Sequence, residues 1–490
     1  MTPGLIAMAV IFSIILVGAM IGIYAGFRRE MTLEQWTVGG RGFGLILVWL
    51  LMAGEVYTTF AFLGASGWVY SRGGPTLYVI AYLSLAYVLS IFFLPKLWEV
   101  GRKASLHTVA DFFQHRYGSK YLAAFVALVG MLFIVPYLQL QLTGLGIIVQ
   151  VASFDAVSRT AAISIAFVVV AGFVLSSGIR AVAWVSVLKD SLMLIAAVTI
   201  GIGVPYHYFG GIAPMFRELI QTKPQHLTMP GSTRDMGHSW YITTVLLTSI
   251  GFYVWPHSFG SMYSAKSADT LRRNAVIMPL YSITLPLLFF VGYSAILVTP
   301  GLAHGDLALL MTVRKTFSPW FLGLIGGAGA LTAMVPAAIM ILTTGALFAK
   351  NFVRPLFAPA MTDNAVATLA KAFVVVFTAI AMYVAIYSSA TLVGLLLFAY
   401  SGIAQFAPGV IFGLFWNRVR GVAVFAGMVV GVSCDLLLIA TKHDPLLGCN
   451  AGFLALVLNC AVTMTVAMFS ARERNAQASL FAPAAEKTLV

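Results

Sequence analysis

Charged residues are scarce in this sequence. Asp, Glu, Lys and Arg together make up 9% of its 490 residues, whereas 60% of the residues are hydrophobic. A soluble domain carries roughly 25% charged residues, so water is excluded as the main solvent of this chain. Apolar stretches of about 20 residues, the length that crosses a bilayer, recur between residues 4 and 470. The composition therefore indicates a polytopic membrane protein and leaves no room for a soluble catalytic domain.

Cysteines and enzyme motifs are also few. The three cysteines, Cys434, Cys449 and Cys460, have no metal-ligand spacing and form no even-numbered framework, so we interpret them as packing residues. The sequence contains no Gly-rich phosphate loop, no His-Glu-x-x-His motif and no supported Ser, His and Asp order. We therefore expect a secondary transporter rather than an enzyme, with no cofactor unless a sodium ion is bound.

Basic residues outnumber acidic ones and give a formal net charge of +13, but they lie in short loops between apolar stretches. This pattern reports membrane orientation rather than nucleic-acid binding. Loops on one side hold nineteen of the 29 Lys and Arg residues, and the opposite loops hold eight. We therefore predict an inner-membrane protein with its N-terminus outside and its C-terminus cytoplasmic. The expected partners are the lipid bilayer and a small anion, with no nucleic acid and no obligate protein partner.

The apolar stretches predict an all-α fold with about thirteen transmembrane helices. The predicted spans lie near residues 4–27, 43–69, 75–95, 121–152, 160–178, 181–206, 239–264, 275–299, 318–349, 365–388, 391–416, 420–441 and 448–470. Between the third and fourth spans, the segment around Thr108 predicts a short amphipathic helix that lies at the membrane surface.

Two predicted spans interrupt the helical pattern in a matched way. The second span carries Gly54 beside the charge of Glu55, and the seventh carries Gly251 and then Pro256 beside His257. Both sequences loosen the backbone hydrogen-bond ladder, which is tolerated in a membrane only where it lines a cavity or is covered by protein. Broken helices at corresponding positions of two halves indicate an inverted repeat with its site at the midplane.

We divide the chain accordingly into four parts. They are an N-terminal helix with its cytoplasmic loop (1–42), a first five-helix repeat (43–210), an outer loop with a second, inverted five-helix repeat (211–416), and two C-terminal helices with a short cytoplasmic tail (417–490).

Glu55 is the leading candidate for the coupling group. A carboxylate at mid-membrane costs several kcal/mol unless it is paired, hydrated or protonated. Glu55 could bind a cation or carry a proton, although a purely structural bond to helix-terminal amides is an alternative. His257 could donate to an anionic substrate or exchange a proton, or it could make a structural hydrogen bond between helices.

Other polar and aromatic residues of the spans are candidates for the same site. Together with His257, the predicted substrate-binding residues are Tyr57, Thr58, Thr59, Tyr137, Gln141 and Trp255. The threonines could instead bond to the preceding turn of their own helix, and the polar groups of the fourth span could bond to another helix. We interpret Lys189 and Asp190 as a structural or gating ion pair, formed locally or between helices.

Four segments that follow one another along the chain carry a family resemblance. They are Trp36-Thr-Val-Gly-Gly-Arg-Gly-Phe-Gly, Thr108-Val-Ala-Asp-Phe-Phe-Gln-His-Arg-Tyr-Gly, Gly178-Ile-Arg-Ala-Val-Ala-Trp, and Gln405-Phe-Ala-Pro-Gly with Trp416-Asn-Arg. In this order they resemble the sodium:solute symporter family. Four further segments are most similar to its bacterial monocarboxylate uptake permeases, namely Pro136-Tyr-Leu-Gln-Leu-Gln-Leu, Val187-Leu-Lys-Asp, Pro256-His with Arg272-Arg-Asn-Ala, and Val335-Pro-Ala-Ala-Ile-Met.

The resemblance implies a LeuT-like fold built from a 5+5 inverted repeat with broken helices. It also implies cation-coupled symport of a short-chain monocarboxylate such as lactate, pyruvate or acetate, by alternating access. A membrane receptor that binds a small ligand without moving it is the alternative from another functional class.

The resemblance further implies a coupling-ion site. Its candidate ligands are Glu55, the backbone carbonyls of Ala53 and Val56, and Thr332. However, the two adjacent hydroxyl residues of sodium-coupled relatives are Val335 and Pro336 here, and an Asp usual in the sixth span is Ser186. Because sodium prefers several oxygen ligands, the sequence leaves both sodium coupling and proton coupling through Glu55 open.

Overall fold

The computed structural model describes residues 1–26, 33–176, 178–233 and 236–470. The predicted cytoplasmic tail after residue 470 and the first part of the loop after the first span lie outside these residues.

The described residues fold into α-helices with no β-strand among them. The helices are α1 (Pro3–Gly26), α2 (Leu33–Val38), α3 (Leu45–Val56), α4 (Ala65–Arg72), α5 (Tyr78–Lys103), α6 (Val109–Tyr117), α7 (Lys120–Ala152), α8 (Arg159–Ser176), α9 (Ile179–Phe209), α10 (Ile212–Thr222), α11 (His238–Gly251), α12 (Pro256–Ser264), α13 (Ala268–Ser282), α14 (Thr284–Val298), α15 (Ala308–Thr316), α16 (Pro319–Ala346), α17 (Arg354–Phe357), α18 (Asp363–Tyr387), α19 (Leu392–Ile403), α20 (Ala407–Phe415), α21 (Gly421–Ala440) and α22 (Ala451–Phe469).

Apolar composition over long helical segments makes this a multi-pass membrane protein. Within the described ranges, ten helical segments are long and apolar enough to cross a bilayer, and α3 with α4 forms an eleventh as one bent span. Two further predicted spans correspond to α8, which is a shorter apolar helix by the same criterion, and to the interrupted pair α11 and α12. The all-α membrane fold is thus confirmed, while the count of thirteen stays a prediction.

The second predicted span breaks where the sequence suggested. The backbone N–H of Tyr57 makes the last bond of α3, to the carbonyl of Ala53 at 2.8 Å, and Tyr57 itself leaves the helical conformation. A π-helical turn, Phe60–Gly64, then leads into α4, and the two halves of the span are bent by 56°. The break is buried within the bundle, as the cost of unpaired backbone groups in lipid requires.

The seventh predicted span breaks in the same manner at a proline. Helix α11 ends at Gly251, and α12 begins at Pro256, which occupies the first turn where a missing N–H breaks no helical bond. The residues between them, Phe252 to Trp255, are buried. Both breaks therefore lie inside the protein and not against lipid.

Small residues let the helices approach closely. A Cβ added to Gly323 of α16 would lie 2.6 Å from the carbonyl oxygen of Ala7 in α1, and one added to Gly201 of α9 would lie 2.6 Å from the carbonyl of Leu287 in α14. Larger residues would force these backbones apart. Close packing of this kind replaces the hydrophobic effect as a cause of helix association inside a bilayer.

The predicted short helix between the third and fourth spans is present as α6. Its N-terminus has a capping box in which the side chains of Thr108 and Asp111 each bond to the other's backbone N–H. Residues Val109 to Phe113 are buried against α7 and the C-terminal end of the ninth span. The apolar face of α6 therefore packs against protein, and its position at the membrane surface stays a prediction.

Candidate functional site

The two broken spans meet at Glu55. This residue lies in the last turn of α3, and its carboxylate accepts hydrogen bonds from the hydroxyls of Ser258, at 3.2 Å, and Ser261, both in the first turns of α12. Only 5% of Glu55 is exposed. Serines three residues apart share one face of a helix, so α12 presents two donors to the same carboxylate. The structure thereby brings together the two halves that the sequence pattern paired.

Helix α7 closes one side of this junction with Tyr137. Its hydroxyl donates to the backbone carbonyl of Glu55 at 3.0 Å, an oxygen left available because α3 ends one residue later. The rings of Tyr137, Trp255 and His257 lie against one another, with centroids 4.9 to 5.8 Å apart. Trp255 in turn packs edge-on against Tyr400 of α19 at 5.0 Å.

These side chains line a small internal cavity. The polar members of its wall are Glu55, His257 and Ser258. The rest of the wall is aromatic or aliphatic and consists of Met52, Val56, Phe60, Tyr82, Tyr137, Phe252, Tyr253, Trp255, Leu396 and Tyr400. The cavity volume is about 20 Å³, room for about one water molecule. A solute with several heavy atoms can enter only when the surrounding rings move.

His257 contributes an uncompensated polar atom to this wall. The residue is 2% exposed, and its Nδ1 has no hydrogen-bond partner among the described residues. A buried polar atom without a partner costs roughly 1–3 kcal/mol, and the residue that carries it lines the cavity. The position is also in the first turn of α12, where the helix dipole favours an anion.

Four predicted substrate-binding residues lie beside the cavity but not in its wall. The hydroxyl of Thr59 donates to Oε1 of Gln141 at 2.6 Å, and the hydroxyl of Thr58 accepts from the N–H of Phe60 at 3.2 Å. The hydroxyl of Tyr57 bonds to that of Ser282 at 2.7 Å. Their hydrogen bonds hold the unwound backbone between α3 and α4 in place.

Lys189 and Asp190 form a buried ion pair on α9. Nζ of Lys189 lies 2.8 Å from Oδ1 of Asp190, and the hydroxyl of Tyr281 donates to the same oxygen at 2.8 Å. Lys189 also donates to the backbone carbonyl of Tyr57 at 3.2 Å. The pair is therefore formed locally, which is one of the two alternatives predicted from the sequence. The ammonium group of Lys189 also contacts the backbone at the break in the second span.

The predicted sodium ligands lie on α3 and α16. The hydroxyl of Thr332 donates to the carbonyl of Gly329 in its own helix at 2.7 Å, and Val335 and Pro336 offer no side-chain oxygen. The carbonyl of Ala53 accepts the N–H of Tyr57, and the hydroxyl of Ser186 lies beside Gly54 in the same region. Positions 335 and 336 therefore supply fewer side-chain oxygens than the resemblance implies for a sodium site.

Sequence reasoning missed several residues of the site. Ser258 and Ser261 could have been found, because they follow the broken helix at helical spacing. The aromatic wall residues Tyr82 and Tyr400 come from two separate helices, and nothing in their local sequence distinguishes them from packing residues, whereas Phe252 lies in the break that follows Gly251.

Interrupted helices that meet at a buried carboxylate and an aromatic cavity, inside a bundle of apolar spans, define a secondary transporter. The model of the sodium:solute symporter family matches residues 36–431. The chain therefore belongs to the sodium:solute symporter family, which makes it a cation-coupled membrane transporter of a small solute and not an enzyme.

Relatives and solved structures agree with this assignment. The chain is 43% identical to the uncharacterized symporter YhjB of Bacillus subtilis (strain 168), over 96% of this chain and 99% of that protein. It is 28% identical to a monocarboxylate transport permease protein of Rhizobium johnstonii, over 93% of this chain and 95% of that protein. The structure of a Na⁺-coupled sialic acid symporter in a substrate-bound, outward-open state superposes with a TM-score of 0.78 at 18% identity, covering 95% of this chain and 98% of that one. This likeness confirms the LeuT-like fold.

Proposed function

We propose that this symporter takes up short-chain monocarboxylates, such as lactate, pyruvate or acetate, across the inner membrane by alternating access. The observation that carries the proposal is the unpartnered Nδ1 of His257 in the wall of the central cavity. A carboxylate would supply the missing partner there. The relative from Rhizobium johnstonii that is named a monocarboxylate transport permease supports the same substrate class.

The position of Glu55 supports coupling to a cation. An anionic substrate in the cavity would lie beside the Glu55 carboxylate, and two negative charges in a buried site repel each other strongly. The substrate therefore binds well only when a sodium ion or a proton compensates one of the charges. This requirement ties uptake of the anion to uptake of a cation.

Within this proposal the cavity residues have distinct roles. Tyr137, Trp255 and His257 contact the substrate directly, and Glu55 responds to the cation. The hydrogen-bonded set of Tyr57, Thr58, Thr59 and Gln141 supports the unwound backbone from outside the cavity. The predicted repeats, 43–210 and 211–416, move relative to each other as the site opens to either side, with the N-terminus outside.

The test is uptake of labelled pyruvate by the purified full-length chain in proteoliposomes, with a sodium gradient or a proton gradient imposed one at a time. We expect accumulation under one of the two gradients. His257→Ala should raise the Km for lactate or pyruvate roughly tenfold, as loss of a hydrogen bond to a charged group would. His443→Ala, which changes an exposed histidine, is the matched control and should leave Km unchanged.

Two results would contradict the proposal. Absence of both accumulation and exchange of labelled pyruvate would exclude this substrate class. Saturable pyruvate binding without any flux would instead favour the ligand-sensing receptor.

A further inference from the structure

Lys189 lies at the place where the family resemblance predicts a sodium ion. A Cβ added to Gly54 would lie 3.1 Å from the hydroxyl of Ser186, 3.4 Å from Nζ of Lys189 and 3.4 Å from Cγ1 of Val335. The ammonium group therefore occupies the space that α3, α9 and α16 enclose behind the broken span. Those three helices are the ones from which the sodium ligands are expected.

The ammonium also makes the kind of contact that a bound cation would make. It donates to the carbonyl of Tyr57, in the unwound backbone at the C-terminal end of α3, at 3.2 Å. Carbonyls at the end of a half-helix carry partial negative charge and are the groups that coordinate cations in broken membrane helices. Asp190 supplies a full negative charge at 2.8 Å, and Tyr281 holds that carboxylate in position.

We propose that the ammonium group of Lys189 is a tethered substitute for sodium behind the broken second span, so that transport needs no sodium ion at this position. The proposal rests on the proposed function and narrows the choice between sodium and a proton as the coupling ion. Sodium-coupled relatives have two hydroxyl residues where this chain has Val335 and Pro336. The proposal accounts for both departures, because a cation that belongs to the protein needs no oxygen ligands from these side chains.

A sodium ion beside Lys189 would be opposed by both charge and ligand number. The two cations would repel each other in a space that is fully buried, where screening by water is weak. Lys189 also compensates the charge of Asp190, the acidic group that could have attracted a free ion, through a contact to its Oδ1. A purely structural ion pair would stabilise α9 against α3 just as well, so the test must respond to sodium itself.

The first measurement is exchange of labelled for unlabelled pyruvate in proteoliposomes, with sodium or choline on both sides. We expect exchange in both media, at rates within about twofold of each other. If sodium binding were coupled to pyruvate binding, the affinity for pyruvate would usually differ about 5-fold to 150-fold between the two media. Exchange that requires sodium would overturn the inference while leaving the proposed substrate intact. If pyruvate shows no exchange in either medium, the proposed function fails, and the second measurement decides the inference.

The second measurement is the thermal stability of the purified chain in sodium against choline. The wild-type chain should show no sodium-specific stabilisation. The double variant Lys189→Ala and Val335→Ser removes the ammonium and restores a hydroxyl, so it should be stabilised by sodium. Lys371→Ala, which removes an exposed lysine of α18, is the matched control and should behave as the wild type.

A sodium-specific rise in the melting temperature of the wild-type chain would overturn the inference. So would a folded double variant that does not respond to sodium, because Lys189 would then be merely structural. If the double variant does not fold, the wild-type measurement in sodium and choline decides the question without it.

Discussion

Glu55 is a costly residue to bury inside a membrane protein. A carboxylate taken into the membrane interior is destabilising by several kcal/mol unless polar partners compensate it. Here the compensation comes from Ser258 and Ser261 of α12, in the other broken span. A carboxylate that depends on partners in another helix is sensitive to any motion that separates those helices. That sensitivity is what a coupling residue requires.

Changing Glu55 to Gln should therefore uncouple the transporter. The amide keeps the size of the side chain and can still accept hydrogen bonds from the serines, but it carries no charge that a cation could compensate. Concentrative uptake of pyruvate should fall to the equilibrium level of about one inside to one outside, while the protein still inserts and binds substrate. Uptake into proteoliposomes is the measurement.

The matched control is Glu99→Gln, which alters an exposed glutamate of α5. It should accumulate pyruvate like the wild type. Accumulation by the Glu55 variant at the wild-type level would remove Glu55 from the coupling step.

At the scale of elements, α6 is held in place by a buried polar network. The carboxylate of Asp111 accepts from Nζ of Lys350 at 2.6 Å and from Nδ2 of Asn351 at 2.7 Å, both in the π-helical turn that follows α16. It also accepts the backbone N–H of His107 at 2.8 Å. Burial alone would raise the pKa of Asp111, but the Lys350 charge and these hydrogen bonds outweigh it, so the pKa lies below its ordinary value of 3.8.

We expect Asp111→Asn to lower the free energy of unfolding by about 2 kcal/mol, because Lys350 loses its partner in a partly buried site. A carboxylate with a lowered pKa in the folded state stabilises the protein above the unfolded pKa, and this contribution is lost as the pH falls below about 4. The variant should therefore lose less stability than the wild type on acidification. Unfolding in mixed detergent micelles, followed at several pH values, measures both effects.

A surface ion pair gives the matched comparison. Arg354 and Asp363 lie 2.8 Å apart, but Asp363 is 77% exposed. Asp363→Asn should cost less than about 1 kcal/mol, as exposed pairs do. Equal losses from the two variants would mean that the Asp111 network does not anchor α6.

For the whole molecule, the orientation in the membrane follows from the loop charges. The α6 network lies between the third and fourth spans, in the more basic set of loops, whereas α10 lies in the opposite set. Basic loops are retained in the cytoplasm. The bundle should therefore present α10 to the outside and α6 to the cytoplasm.

Two exposed lysines offer a direct check of this orientation. The check starts from a chain whose native cysteines are replaced by serine. One new cysteine is introduced by Lys223→Cys, just after α10, or by Lys103→Cys, at the end of α5. A membrane-impermeant maleimide added to intact spheroplasts should label the first and not the second, and both should react after permeabilisation. The reverse pattern would place the N-terminus inside.

The sequence alone determined the membrane class, most of the helices and the two breaks. Each of these depends on local chemistry, namely apolar length, a glycine beside a charge and a proline that cannot donate. It also predicted Glu55, His257, Tyr137 and Trp255 as residues of the site, the first two and Trp255 because they lie next to a break and Tyr137 because it is a polar group within an apolar span. Family membership followed from short motifs in a fixed order.

Only the tertiary structure decided which distant groups meet. The position of the Lys189 ammonium between α3 and α16, the pairing of Glu55 with Ser258, and the placement of Thr59 outside the cavity all depend on helix rotation and crossing. An apolar helix in a membrane shows little periodicity, because lipid and neighbouring helices are equally apolar. The face that each helix turns inward is therefore set by packing between segments that are remote in sequence.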